Sequence, residues 1–206
     1  MSTRRLLTRW AGAHLVLPIG TVTSHYEASL RYQASAEPLR DHLKSRNNWT
    51  TRTFNAINWK AHQQCIRHHL HRRTHVIKFV HAILPTTSRL HRDDHIRSLC
   101  PCCRNRREDW IHIIKCESPS RSEWRVAMLN AIDLKTAPEL RAILIKALKA
   151  WTHPIADDTE TPFSVDPTSA SSPALIRLIA NQNDIGWKHV FLGRFCNDWS
   201  DVQDAH

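Results

Sequence analysis

Between residues 100 and 116 the chain reads C-x2-C-x8-H-x3-C, and no other stretch restricts its local fold so tightly. Cys100 and Cys103 are separated by two residues, so one tight turn can present both thiolates to a single ion. His112 and Cys116 are four apart and project from the same face of a helix. A turn and a helix facing one ion make a tetrahedral shell of three sulfurs and one nitrogen, a set that suits Zn2+. Zinc is the expected cofactor, with Cys100, Cys103, His112 and Cys116 as ligands. Cys102 has only one residue between itself and Cys100, too few for the usual turn, and reads as a spare thiol. Glycine often follows such a knuckle to supply a left-handed turn. Here Arg104 stands in that place, and Asn105 beside it tolerates the conformation better than most residues.

The same motif argues against catalysis. A catalytic zinc keeps one position open for water, whereas four protein ligands fill the shell. No HExxH is present, and no HxE precedes a PCxxC as in the zinc deaminases. With only 4 glycines in 206 residues there is neither a GxGxxG nor a GxxxxGK[ST] phosphate cradle. Asp93-Asp94 is flanked by His and Arg and not by the apolar run of a buried strand, so it reads as a solvated turn. His62, His68, His69, His71, His75 and His81 read as a titrating polar helix face in preference to a second metal site. The chain is not expected to be an enzyme.

Charge is unevenly placed. Residues 60–115 hold 12 basic against 4 acidic side chains, which is most of the chain's net +10, and 9 of its 15 histidines. Residues 152–206 hold 3 basic against 8 acidic. A basic block of this kind is an electrostatic footprint for a phosphate backbone. Arg67, Arg72, Lys78, Arg89, Arg92, Arg97, Arg104, Arg106 and Arg107 are the candidate contacts, to RNA or DNA, with weak sequence preference. A protein-binding scaffold is the alternative, and an inert product a third. The six cysteines are clustered, four of them within 17 residues, which suits metal in a reducing, intracellular setting, nucleus or cytoplasm. No apolar run exceeds about five residues, so no membrane span is expected. The Arg-rich start, MSTRRLLTRWAGAHLVLPIG, is weakly like a targeting segment and reads rather as the cut edge of a larger parent.

Periodicity points to an all-α, bundle-like chain around a small CCHC knuckle. Residues 22–46 read as helix, with Glu37-Pro38-Leu39 opening a second short one. From near Ile57 a long helix is expected, with Ile66, Leu70, Ile77, Val80 and Leu84 on one stripe and Pro85 ending it. Glu108–Cys116 and Ser120–Ala131 read as helices. Thr136-Ala137-Pro138-Glu139 has capping-box spacing ahead of a stripe of Leu140, Leu144, Ala147 and Trp151. The segment 152–173, rich in Pro, Ser, Thr and acids, reads as a solvated linker, and 174–206 as a helical tail. The expected division is 1–58, 59–124, 125–151, 152–173 and 174–206.

Trp59, Lys78-Phe79, Leu84-Pro85-Thr86, Leu90, the Cys/His array, Glu108 and Trp124 together resemble the zinc-binding region that follows the polymerase in non-LTR retrotransposon reverse transcriptases. Arg9-Trp10-Ala11-Gly12 with Tyr26, Ser29, Pro38 and Leu39 is similar to a degraded form of the segment after the thumb in such elements. Gln182, Ile185-Gly186-Trp187, Gly193-Arg194 and Trp199 resemble their C-terminal tail. The departures are Ala11 in place of glycine and the missing knuckle glycine. No YxDD-type carboxylate strand is present, so the resemblance implies a non-catalytic C-terminal fragment that binds nucleic acid.

Overall fold

In the computed structural model, which describes residues 15–17, 20–22, 26–68, 72–132, 136–153 and 163–205, helices carry nearly all of the regular structure. The chain is all-α around a small Cys/His knuckle. Among the described residues the only strands are β1 (Leu15–Leu17) and β2 (Gly20–Val22), an antiparallel ribbon with Val16 opposite Thr21. Arg9-Trp10-Ala11-Gly12 lies outside the described residues. Two compact units divide at Thr50, where the sequence places a boundary at 58.

In the first unit a single helix, α1 (Tyr26–Asn47), runs through Pro38, where a break into two helices is expected. Pro38 is exposed, so the carbonyl that loses its amide partner faces water. Surface pairs Arg31–Glu27, Arg40–Glu37 and Lys44–Asp41 run along the helix at one-turn spacing. Val22, where the expected helix would open, ends β2 instead.

The second unit begins with α2 (Thr51–Ala56). The long helix expected from Ile57 to Leu84 is two helices, α3 (Trp59–His68) and α4 (Arg73–Val80); His69, Leu70 and His71 lie outside the described residues. Ile57 is not helical but bridges Cys196 antiparallel. The second helix stops at Val80, five residues before Pro85, because Ala82 takes a left-handed backbone, φ +52. Arg194 Nη2 then donates to the Val80 carbonyl at 3.1 Å, satisfying one of the acceptors the helix end leaves open.

After α5 (Thr87–Leu90), α6 (Trp110–Lys115) and α7 (Pro119–Asn130) comes α8 (Pro138–Thr152). The capping box expected at Thr136–Glu139 does not form. Ala137 occupies the cap, and its N–H donates instead to Gln203 Oε1 at 2.9 Å. Leu140, Ala147 and Trp151 of the expected stripe are buried, with Leu144 half-buried.

The expected linker is ordered over 163–173. Val165 is buried, and the Asn183 side chain both accepts from its N–H at 3.0 Å and donates to its carbonyl at 2.7 Å. Residues 154–162 lie outside the described ones. Nor is 174–206 an appended tail. It forms α9 (Pro173–Ile185), a 3-10 helix (Trp187–Leu192) and α10 (Asp198–Asp204), and it supplies the centre of the core. Leu178, Ile179, Ile185 and Trp187 are essentially inaccessible to solvent. The buried Gln182 amide ties this region together. Its Oε1 accepts from the Cys196 N–H at 3.1 Å and the Trp199 indole at 3.0 Å, and its Nε2 donates to the Arg194 carbonyl at 3.4 Å. Paired backbone bonds then join both ends of the unit, Asn58 N–H to Phe195 and Asn197 N–H to Ala56, each 2.8 Å.

Candidate metal centre

The knuckle is a tight turn closed by its own backbone. The Cys100 N–H donates to the Arg106 carbonyl at 2.7 Å, and the Arg104 N–H to the Cys100 carbonyl at 2.8 Å. Leu99 bridges Arg107, and the Glu108 N–H donates to Ser98 at 3.0 Å. The left-handed residue is Arg104 itself, φ +56, and not Asn105. Geometry overrides residue preference here because the turn must bring Cys103 back beside Cys100.

Asp109 starts the ligand helix. Its Oδ1 accepts the His112 N–H at 2.6 Å, an N-cap three residues ahead of the ligand. The Cys116 N–H in turn donates to the His112 carbonyl at 2.7 Å, so the two helical ligands stand one turn apart as their spacing requires. The ligand atoms of Cys100, Cys103, His112 and Cys116 all lie within 4.8 Å of one another. Cys100 and Cys116 sulfurs are 3.8 Å apart, and Cys103 Sγ is 3.2 Å from His112 Nε2. A tetrahedron with metal–sulfur bonds of about 2.3 Å has an edge of about 3.8 Å. The four side chains therefore converge on a volume that could hold one metal ion, with Nε2 as the imidazole donor. Among the described residues no other group of three or more His, Cys, Asp or Glu side chains does so.

The centre has a buried half and a half-exposed one. Cys100 and Cys116 are buried, whereas Cys103 and His112 are partly open. Burial pushes the Cys100 thiol up to about 11. Burial opposes ionisation of Cys116 too, but hydrogen bonds from the Ser118 hydroxyl and N–H outweigh it and hold that thiol below its ordinary value. His112 is held below the usual histidine range by burial; Arg106 and Arg121 push the same way, and Asp109 opposes them. A neutral imidazole is the form that ligates.

Residues absent from the expected ligand set hold the frame. Glu108 is buried, and its Oε2 accepts the Thr87 N–H at 2.9 Å at the start of α5. The Thr87 hydroxyl donates to the carbonyls of Ser98 and Leu99, at 3.0 and 3.1 Å. Arg125 Nη1 donates to the carbonyls of Ile114 and Cys116, at 2.9 and 2.6 Å, closing the end of the ligand helix. Asp109 was detectable, since Asp three residues before a helical ligand is cap spacing. Glu108 belongs to the set of residues that carries the resemblance, but its contact with the Thr87 N–H is made only by folding. Arg125 likewise acts on carbonyls brought near only by folding, and no local pattern marks it.

All nine candidate phosphate contacts, Arg67, Arg72, Lys78, Arg89, Arg92, Arg97, Arg104, Arg106 and Arg107, are exposed. Arg97 pairs with Asp94 at 3.4 Å, Arg89 reaches the Ala82 carbonyl, and Arg107 reaches the Arg92 carbonyl. Among the described residues Arg67, Arg72, Lys78, Arg92 and Arg104 form no ion pair. Asp93 and Asp94 sit in a turn, where Asp94 Oδ1 accepts the Arg97 N–H at 3.0 Å. No helix among the described residues is long and apolar enough to cross a membrane.

These features define a basic, all-α protein with a Cys3His knuckle able to bind a metal ion. Compared with family models, curated proteins and solved structures, the chain matches none.

Proposed function

We propose that the chain is a non-catalytic, nucleic-acid-binding module whose Cys3His centre holds structural Zn2+, akin to the zinc-binding region of non-LTR retrotransposon reverse transcriptases that its motifs resemble. One observation carries the reading: the four ligands converge while all nine basic side chains of the surrounding block stay exposed. Three thiolates and an imidazole favour zinc among the common divalent ions, and a full protein shell leaves no place for a reacting water. Bound zinc would tie the knuckle to the ligand helix and so fix Arg104, Arg106 and Arg107 in register. The exposed cations contact backbone phosphates of RNA or DNA and do not read sequence. Ionised thiol ligands and a metal-dependent fold suit a reducing intracellular compartment.

The test is the salt dependence of binding, measured by anisotropy with labelled oligonucleotides and the zinc-loaded protein. Six phosphate contacts give a log–log slope of about −4 on single strands and about −5 on duplex DNA. Replacing Arg72 and Lys78 by Ala flattens the slope by about one to two, with zinc content unchanged. The same change at Lys146 and Lys149, also exposed but outside the block, does less. If the protein binds neither RNA nor DNA at about 50 mM salt, where electrostatic binding is strong, the reading falls and a protein-binding scaffold replaces it.

A further inference from the structure

Residues 87–98 form a loop whose two ends meet against the knuckle. The Thr87 hydroxyl donates to the Ser98 and Leu99 carbonyls, at 3.0 and 3.1 Å. The Ser98 carbonyl also accepts the Glu108 N–H at 3.0 Å, and the Glu108 carboxylate accepts the Thr87 N–H at 2.9 Å. Compact surface loops closed at the base in this way often carry function. This one is polar at its root and apolar outside. Ile96 is 80% exposed and Leu90 63%, the two most exposed large apolar side chains among the described residues. Nor is Ile96 on a loose tip. The His95 carbonyl accepts the Ser98 hydroxyl at 2.8 Å, the Ile96 carbonyl accepts the Leu99 N–H at 3.2 Å, and Asp94 Oδ1 accepts the Arg97 N–H at 3.0 Å. The backbone is fixed on both sides of the isoleucine, so a partner that covers it has little ordering left to impose.

Charge says what kind of partner that is. The loop carries Arg89, Arg92 and Arg97, all exposed, and Arg107 joins them from the knuckle, its Nη2 donating to the Arg92 carbonyl at 3.4 Å. Against these four guanidiniums stand two carboxylates, Asp93 and Asp94, the second already paired with Arg97 at 3.4 Å. An exposed aliphatic group among guanidiniums fits a ligand with phosphates outside and an apolar stack within, which describes a nucleic-acid duplex. Isoleucine has no ring on which an unpaired base could stack, so a single strand offers it less. Between two base pairs an aliphatic side chain acts as a wedge entering from the minor groove.

We propose that Ile96 is such a wedge: with the loop's arginines on the flanking phosphates, it partly unstacks one base-pair step of double-stranded DNA. The inference rests on the nucleic-acid reading above and narrows its ligand to the DNA duplex. Pyrimidine–purine steps, the easiest to kink, are the expected sites.

The experiment uses the full zinc-loaded chain and a duplex of about 20 base pairs with 2-aminopurine at a central TA step, the flexible kind. The parent is expected to brighten the 2-aminopurine as the step unstacks. Ile96→Ala should abolish the brightening and weaken duplex binding about tenfold. Its salt slope should not change, because no phosphate contact is lost, and zinc should stay at one per chain. Ile96→Leu should keep most of the brightening, and Ile176→Ala, an exposed isoleucine of α9 outside the loop, should change nothing. Duplex binding by the parent without brightening overturns the proposal. So does a flatter slope in Ile96→Ala, since the residue then only places the arginines. Binding to vesicles of phosphatidylserine and phosphatidylcholine that depends on Ile96, beside a silent duplex, overturns it in favour of a lipid surface. A parent protein that binds no nucleic acid removes this inference together with the functional reading. A parent that binds only single strands, or binds the duplex equally well as Ile96→Ala, removes this inference alone.

Discussion

The knuckle region, residues 84–125, and the C-terminal core, residues 136–205, belong to one compact unit and are held by different forces. Between 84 and 125 Ile114 is the one buried aliphatic side chain among the described residues; the other buried groups are Thr86, Ser98, Glu108, Cys100 and Cys116. That region is a web of backbone and carboxylate hydrogen bonds around four potential ligands, with too little apolar area to hold itself. The core buries leucines, isoleucines and the edge-to-face pair Trp187 and Trp199, 6.4 Å apart, around one amide, Gln182. Burying an apolar side chain of that size contributes about 1.5–3 kcal/mol each. The difference teaches where metal would matter: at the knuckle an ion held by the four side chains would substitute for a core, and at the C-terminal end a core is already present.

Metal removal should separate the two regions most sharply. Zinc binding by finger-like peptides contributes about 10–16 kcal/mol of apparent folding free energy at neutral pH. Cys103→Ser, or chelation of the parent, is expected to abolish stoichiometric zinc and unfold about residues 97–124. The amides of α9 should keep their hydrogen-exchange protection. Cys102→Ser should keep the metal, as its thiol is exposed and outside the ligand group. Equal zinc loss in both variants would break the ligand assignment, and loss of protection in α9 would break the contrast.

Acid should also act on the two regions differently. The buried Asp198 carboxylate accepts from Arg177 Nε and Asn181 Nδ2, each at 2.7 Å. Burial opposes its ionisation, but these bonds outweigh burial and hold the group below its ordinary value of 3.8. The sign follows: the stabilisation is fully present above pH 3.8 and is lost as pH falls through the lower folded value. Asp198→Asn should cost about 2 kcal/mol at pH 7 in urea unfolding followed by tryptophan fluorescence. That difference should shrink below pH 3.8. The knuckle should fail earlier in the same titration, when protons displace the metal from its thiolates. A parent–variant difference that persists into strong acid would show that Asp198 acts by shape and not by charge.

The same contrast explains what was legible in the sequence. The four converging Cys and His side chains were readable because a metal site would demand few residue types at fixed spacings, and those spacings survive folding unchanged. The core was only half readable. The stripe of α8 shows in its periodicity, but Gln182, Arg194 and Asp198 are polar residues whose burial depends on partners such as the Val80 carbonyl or Asn181. Composition misled at 163–173, where Ser, Thr and Pro look solvated yet Val165 is clamped by Asn183. It misled again at Pro38, which an exposed helix face tolerates. Periodicity ran past the end of α4 because no pattern shows that Ala82 takes a left-handed backbone or that Arg194 meets the helix end.

The smallest effect is the most diagnostic, because it sets stability against binding at one residue. Arg104 holds φ +56 directly after a ligand cysteine, in a region that costs a residue with a side chain roughly 1–2 kcal/mol. Glycine adopts it without that cost but gives up about 0.5–1 kcal/mol of chain entropy on folding. Arg104→Gly should therefore stabilise the loaded knuckle by about 0.7 kcal/mol, read as zinc held about threefold more tightly against a competing chelator. Arg104 is also an exposed cation of the proposed binding surface, so the same change removes a positive charge. Its salt slope on single strands should flatten by up to about 0.7 even as zinc affinity rises. A glycine variant that weakens zinc would mean the arginine stem supports the turn by packing. One that tightens zinc and leaves the slope untouched would remove Arg104 from the nucleic-acid surface while leaving the knuckle geometry intact.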